Sequence, residues 1–198
     1  MFPDIARDDV FRLETRRLWL RWPRLSDAPA IERYCAKWEV ARHTARIPHP
    51  YPKGSAERFV YAAREANTLG RDLTLAIAPL GAPTRVLGAI SLERRGTDRL
   101  TLGYALAPEA WGRGYATEAA RALVDAAFRL SAVVEIEASV QAENPASSRV
   151  LEKVGFCHVG RGLRGAPARG AMVECDAYVL ARKNWTARRE AAALEQAS

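Results

Sequence analysis

The chain is poor in cysteine and lysine and has no long apolar run, and each scarcity removes a class of protein. Cys35, Cys157 and Cys175 are odd in number and lack metal-ligand spacing, so neither a disulfide framework nor a metal site is expected; a reducing, cytoplasmic setting is the simplest fit. No stretch approaches the roughly 18 apolar residues of a membrane span, and the opening MFPDIARDD has no signal-peptide core. No membrane partner is therefore expected, and the Asn184-Trp185-Thr186 sequon is read as meaningless. Lysine stands only at 37, 53, 153 and 183, so 26 of the 30 basic residues are arginine, and the net charge is +7. Coding bias explains such usage as well as attraction of a polyanion does, whether nucleic acid or a phosphate-bearing cofactor. Nucleic acid is the weaker choice, because no recognition motif or aromatic-basic interleaving is present.

What is present is a chain of 198 residues with 48% apolar content, enough for one folded domain. We place that domain at residues 1–186 and a helical or disordered tail at 187–198. Residues 16–22, RRLWLRW, alternate as a strand with one buried face. Ser26-Asp27 offers a helix cap, and Ile31, Tyr34, Cys35 and Trp38 follow at helical spacing. Three prolines in RIPHPYPKG make residues 41–54 an ordered loop, and Ser55 opens a second helix that stops near Gly70. Residues 73–78, 85–92 and 99–107 read as hairpin-linked strands. A helical period runs over 114–130, a strand over 133–140, and a helix from the cap Asn144-Pro145 to Gly155. Two strands, 156–160 and 174–180, close the chain around the Gly- and Arg-rich loop RGLRGAPARGA. The order is β-α-α-β-β-β-α-β-α-β-β.

One turn suggests chemistry. A strand ending at Ala107-Pro108 meets Trp111-Gly112-Arg113-Gly114-Tyr115-Ala116 and runs straight into a helix. Such a start exposes unpaired backbone N–H groups and is an anion site. Gly112 and Gly114 let the backbone approach a phosphate, and Arg113 adds charge. A dinucleotide fingerprint would need a third glycine where Thr117 stands, and a nucleotide-triphosphate loop would need GK[ST], which is absent. The ligand is some other phosphorylated molecule, or the turn is only a turn.

The run LGYALAPEAWGRGYATEA at 102–119, followed by NPASSRVLEKVGF at 144–156, resembles the GNAT superfamily of acetyltransferases, and within it the ribosomal-protein N-terminal acetyltransferase-like (RimJ/RimL-like) branch. The resemblance implies an α/β (α+β) fold: a mixed, mostly antiparallel twisted sheet of about seven strands with helices on both faces. It implies an acetyl-CoA-dependent N-acetyltransferase, in which a primary amine attacks the thioester directly in a ternary complex. The amine would belong to a protein N-terminus or a small molecule, in a monomer or homodimer. The alternative is an acetyl-CoA-binding sensor without turnover. By resemblance, the pyrophosphate of coenzyme A sits on the amides of Trp111, Gly112, Arg113, Gly114, Tyr115, Ala116 and Thr117. Main-chain N–H groups near Tyr104, Ala105 and Leu106 meet the oxyanion where the strand splays. Asn144 contacts the pantetheine arm besides capping its helix, and Ser147 stabilises or protonates the thiolate.

Two positions depart from the wider superfamily. Leu151 replaces the tyrosine acid that many of its enzymes carry, and Thr101 replaces the glutamate often found just before the Gly-Tyr. We rank Glu174 and Asp176 ahead of Glu93 as the base, with Glu109 more often a solvated residue. The segment between the first two helices would wall the amine site with Trp38, His43, His49 and Tyr51, with Glu93 nearby. The same residues are equally readable as packing aromatics and exposed histidines.

Overall fold

The structure, a computed structural model, describes residues 2–197. Eight strands form one sheet in the order β1-β2-β3-β4-β5-β6-β8-β7. They are β1 Arg12–Glu14, β2 Leu18–Arg21, β3 Leu73–Pro79, β4 Gly88–Arg95, β5 Arg99–Leu106, β6 Glu135–Gln141, β7 Cys157–Ala166 and β8 Ala171–Ala181. The helices are α1 Ala28–Cys35, α2 Trp38–Ala41, α3 Ser55–Thr68, α4 Tyr115–Leu130, α5 Pro145–Val154 and α6 Arg182–Ala197. All strand pairs are antiparallel except β5 with β6.

Two differences from the sequence reading have physical causes. The strand count is eight because Arg12–Glu14 pairs with β2; three residues are too few to show an alternating pattern. The predicted loop RGLRGAPARGA is mostly strand, with β7 and β8 in register from Leu163↔Glu174 to Ala166↔Ala171. β7 is the sheet edge and nine of its ten residues are not buried, so it carries no apolar alternation to read.

β3 explains how the sheet is covered. Leu73, Leu75 and Ile77 point to the α4 side, where they join Ala119, Ala120, Leu123, Val124, Ala127 and Phe128. On the other face Ala76 packs with Ile31, Tyr34, Ala56 and Val60 of α1 and α3. The small side chains on that second face let α3 approach closely. Buried Asn67 on α3 then donates from Nδ2 to Thr74 O (2.9 Å) and accepts from Thr74 N–H (2.8 Å). It takes over the β3 backbone just past the point where β2 stops pairing, at Arg21↔Ala76. At the far end Arg182 donates to the carbonyls of Phe128, Ser131 and Val133 at 2.6 to 2.8 Å, which closes the C-terminus of α4. α6 continues unbroken past residue 186, and Arg189 pairs with Asp125 at 3.2 Å.

A buried ion pair fixes the entry to α1. Arg21 Nη1 and Nη2 donate to the two oxygens of Asp27 at 2.8 and 2.9 Å, and its remaining donors go to Trp22 O and Pro83 O. Asp27 makes no side-chain cap on α1, contrary to the simple reading; its other hydrogen bond is from Arg24 N–H at 2.7 Å. Removing one partner of such a pair leaves a desolvated charge. Asp27→Ala should therefore lower unfolding stability by about 3–5 kcal/mol, seen as a drop in the urea midpoint with an unchanged slope.

Candidate active site

The phosphate-type turn forms as its sequence suggests. Gly114 is the N-cap of α4 at φ +77°, without a side-chain cap, and Gly112 lies at φ +71°. The first intrahelical bond is Glu118 N–H to Gly114 O at 3.0 Å, so the preceding amides point out of the helix end. Glu118 also anchors that end to the sheet. Its carboxylate accepts from Thr15 Oγ1 (2.7 Å), Arg17 N–H (2.8 Å) and Arg17 Nε (2.7 Å). Burial pushes its carboxyl up, but these hydrogen bonds outweigh burial and hold it below the usual range. Arg17 is thereby held over the Tyr115 ring, 4.8 Å from its centroid.

The parallel pairing of β5 with β6 stops after Arg99↔Glu135, Leu100↔Ile136 and Thr101↔Glu137. Beyond Thr101 the two strands part, and a cavity opens between them. Gly88 makes the opposite side of β5 tight, since a Cβ there would come within 2.3 Å of Ala105 O. The Trp111 indole donates to Leu106 O at 2.9 Å, so this side chain ties the turn to the strand end.

Two cavities meet in the gap. The first, about 360 Å³, runs along the turn and is lined by Tyr104, Ala105 and Leu106, by Trp111, Gly112 and Gly114–Thr117, and by Asn144 and Ser147. These are the expected cofactor residues apart from Arg113, which is exposed and lines neither cavity. The second, about 970 Å³, lies under α1 and α3. His43, Thr44, Tyr104, Ala105, Asn144 and Ser147 line both. Asn144 caps α5 through Ser147 N–H (3.2 Å), and its Nδ2 donates to Ser147 Oγ (3.1 Å). The Ser147 hydroxyl proton is left to point elsewhere. Tyr104 Oη lies 3.4 Å from Ser147 O, and burial pushes its phenol up to about 12.

His43 stands at the same junction. Burial lowers its pKa, with Arg42 and Arg169 adding and Glu143 opposing, so the imidazole is neutral at pH 7. Its Nδ1 is buried without a hydrogen-bond partner among the described residues. Tyr51 and Glu93 line the second cavity. Trp38 and His49 do not; their rings meet at a tilt on the surface, 5.3 Å between centroids, and Trp38 is 52% exposed.

The expected carboxylates differ in their surroundings. Asp176 and Glu174 line neither cavity. Asp176 accepts from Arg161 Nε (2.7 Å) and Nη2 (3.0 Å) and lies 3.1 Å from His158 Nε2. Arg161 holds its carboxyl below the usual range, a poor setting for a base. Glu174 lies 3.7 Å from the same guanidinium. Glu93 is directly opposite Thr101 across β4 and β5, so a carboxylate does stand beside the position that lacks one. It is engaged in a two-pronged pair with Arg46, one prong at 2.6 Å. Cys35, between Tyr34 and Tyr51, lines the second cavity, and burial pushes its thiol up to about 12, which removes it as a nucleophile. Sequence reasoning missed Arg46, Arg58 and Arg95 in this wall, because their spacing follows no pattern.

A sheet that splays past Thr101 thus joins a glycine-punctuated helix start to a second cavity. The chain belongs to the acetyltransferase (GNAT) domain family, whose model matches residues 17–157. It is 25% identical over 175 residues to the uncharacterized N-acetyltransferase p20 of Bacillus licheniformis, covering 87% of this chain and 97% of that one. The GNAT-family acetyltransferase of Bacillus anthracis superposes with a TM-score of 0.75 at 23% identity, over 87% of this chain and 99% of the other. RimJ of Mycobacterium smegmatis, solved with a CoA disulfide, gives 0.75 at 24% identity over 91% and 90%. Among the described residues no helix is long and apolar enough to cross a membrane, and no group of three or more His, Cys, Asp or Glu could hold a metal.

Gly114→Glu should abolish binding of a phosphate-bearing ligand at the turn. It forces a side chain into a left-handed position beside Arg17 and puts negative charge at the helix start. Isothermal titration with coenzyme A should give no heat with the variant, while circular dichroism stays that of the parent.

Proposed function

We propose that the protein transfers acetyl from acetyl-CoA to a primary amine by direct attack, with donor and acceptor bound together. The observation that carries this reading is the meeting of the two cavities at His43, Tyr104, Ala105, Asn144 and Ser147. The donor fits the first cavity, where two glycines and the amides of the α4 start suit a pyrophosphate. Coenzyme A bound to M. smegmatis RimJ supports the choice. Acetyl-CoA supplies an acetyl group activated as a thioester.

The chain's own residues divide the remaining work. Past Thr101 the inward N–H groups of β5 are released from strand pairing and are positioned to polarise a carbonyl oxygen. His43, neutral and with an unpaired Nδ1, takes the proton that the amine must lose. Ser147, whose Oγ already accepts from Asn144, stabilises the leaving thiolate by a hydrogen bond from its hydroxyl, the proton shed by the amine finally making the thiol, and the Tyr104 phenol stands beside it. These roles bring a base and a thiolate-stabilising hydroxyl to one junction, and Leu151, which lines the second cavity, takes no part in proton transfer.

Acetyl-CoA at 100 times its dissociation constant should stabilise the protein by roughly 2.7 kcal/mol, a rise in melting temperature of about 5 to 11 °C. Absence of any shift would defeat the proposal. His43→Gln should lower kcat by about 10², followed as thiol release, and leave the acetyl-CoA shift intact. Ser147→Ala should likewise slow turnover and spare that shift; equal loss of affinity in both would show the roles to be wrong.

A further inference from the structure

The second cavity carries a charge pattern that narrows the acceptor, given the reading above that the amine binds there. Its inner wall is apolar or uncharged, with Ile31, Phe59 and Leu102 beside Tyr34 and Cys35. Its ionised side chains are three guanidiniums, Arg46, Arg58 and Arg95, and one carboxylate, Glu93. Glu93 is not available to a ligand cation. Arg46 holds both of its oxygens, Arg95 Nη2 lies 3.7 Å away, and only 22% of its side chain is exposed.

The guanidiniums, by contrast, keep free donors. Arg46 is 62% exposed and Arg95 56%. Arg95 donates from Nε to Thr101 Oγ1 at 3.3 Å, and Arg58 donates from Nη2 to Ser55 Oγ at 2.8 Å, which orients both without neutralising them. The acids just outside the lining do not reverse the balance. Asp72, near Arg46, accepts from Arg94 N–H at 3.0 Å, and Glu32 acts on Tyr51 from beyond the cavity wall.

We infer that the acceptor is a small amine that also bears an anionic group, a carboxylate or a phosphate, which Arg46, Arg58 and Arg95 hold while the amine reaches the His43–Ser147 junction. A guanidinium is permanently charged and matches either oxyanion geometrically. A second ammonium in the same place would face three guanidiniums offset by a single carboxylate that Arg46 already holds. A volume of about 970 Å³ suits a whole small molecule.

The test compares acceptors of one length: 4-aminobutyrate, 3-aminopropyl phosphate, 4-aminobutanamide and 1,4-diaminobutane. Thiol release with saturating acetyl-CoA gives kcat/KM for each. At least one anionic acceptor should exceed both the amide and the diamine by tenfold or more, and the ratio of butyrate to phosphate tells which oxyanion is preferred. The double variant Arg58→Glu with Arg95→Glu should raise KM for the anionic acceptor at least tenfold and move the preference to the diamine. Its thermal shift with acetyl-CoA should match the parent's, which shows that it is folded. An intact shift together with a diamine that equals or beats both anions, no turnover of either anion, or an order unchanged by charge reversal overturns this inference alone. No shift in the parent protein overturns it together with the proposed function.

Discussion

Everything at the site depends on a hydrogen-bond ladder that ends early. β5 and β6 share three residue pairs and then separate at Thr101↔Glu137. A parallel pair needs a long crossover, and here that crossover is the turn and helix α4. The same break therefore produces the gap, releases the inward amides of Gly103 to Leu106 and sets the start of α4 at its mouth. It also brings α5, which follows β6, to the opposite lip, so that Asn144 and Ser147 face Tyr104 across the opening. An unpaired strand edge in a protein interior is costly unless something takes its place. In this fold the natural replacement is a ligand.

Such a gap stays open only if the elements around it are held from outside, and polar ties do this. Glu118 fastens the α4 start to the β1–β2 turn, Asn67 binds α3 to the free edge of β3, and Arg21 with Asp27 sets the entry to α1. Each tie is buried or half-buried and satisfied on several atoms, which is where polar groups define a structure instead of merely solvating it. The tip of the β7–β8 hairpin adds another: Ala168 N–H donates to Ala45 O at 3.1 Å, and Arg169 to Arg42 O at 2.7 Å. That hairpin lines the second cavity through Gly165 and Pro167.

The same accounting decides which groups remain free for chemistry. Asp176 is engaged by Arg161 and His158, Glu93 by Arg46 and Arg95, and Glu118 by Thr15 and Arg17. Among the described residues the carboxylate that lines the second cavity, Glu93, is held by an arginine. His43 is different, since its Nδ1 has lost water and gained nothing in exchange. Arg169 Nε and Nη2 are buried without partners among the described residues as well, so unsatisfied polar groups collect on this side of the cavities.

The elements with a strong period were legible from the chain: β3 to β5, α3, α4 and the Asn144 cap all stand close to where the pattern puts them. The turn before α4 was legible too, because a glycine-punctuated helix start is a local property of Gly112, Gly114 and the residues between them. β1 and most of β7 were not, because a three-residue strand and an exposed edge carry no apolar alternation. The surroundings of Glu174 and Asp176 were hidden for another reason: nothing in their spacing shows Arg161 beside them, as the pairing of β7 with β8 alone does. By itself, then, the sequence determined the glycine-punctuated turn and the helix it opens, a local property of one continuous segment. Only the tertiary structure decided what lines the second cavity. Arg46, Arg58, Glu93 and Arg95 come from a loop, a helix and a strand, and whether they repel or attract an ion depends on distances that no stretch of chain contains.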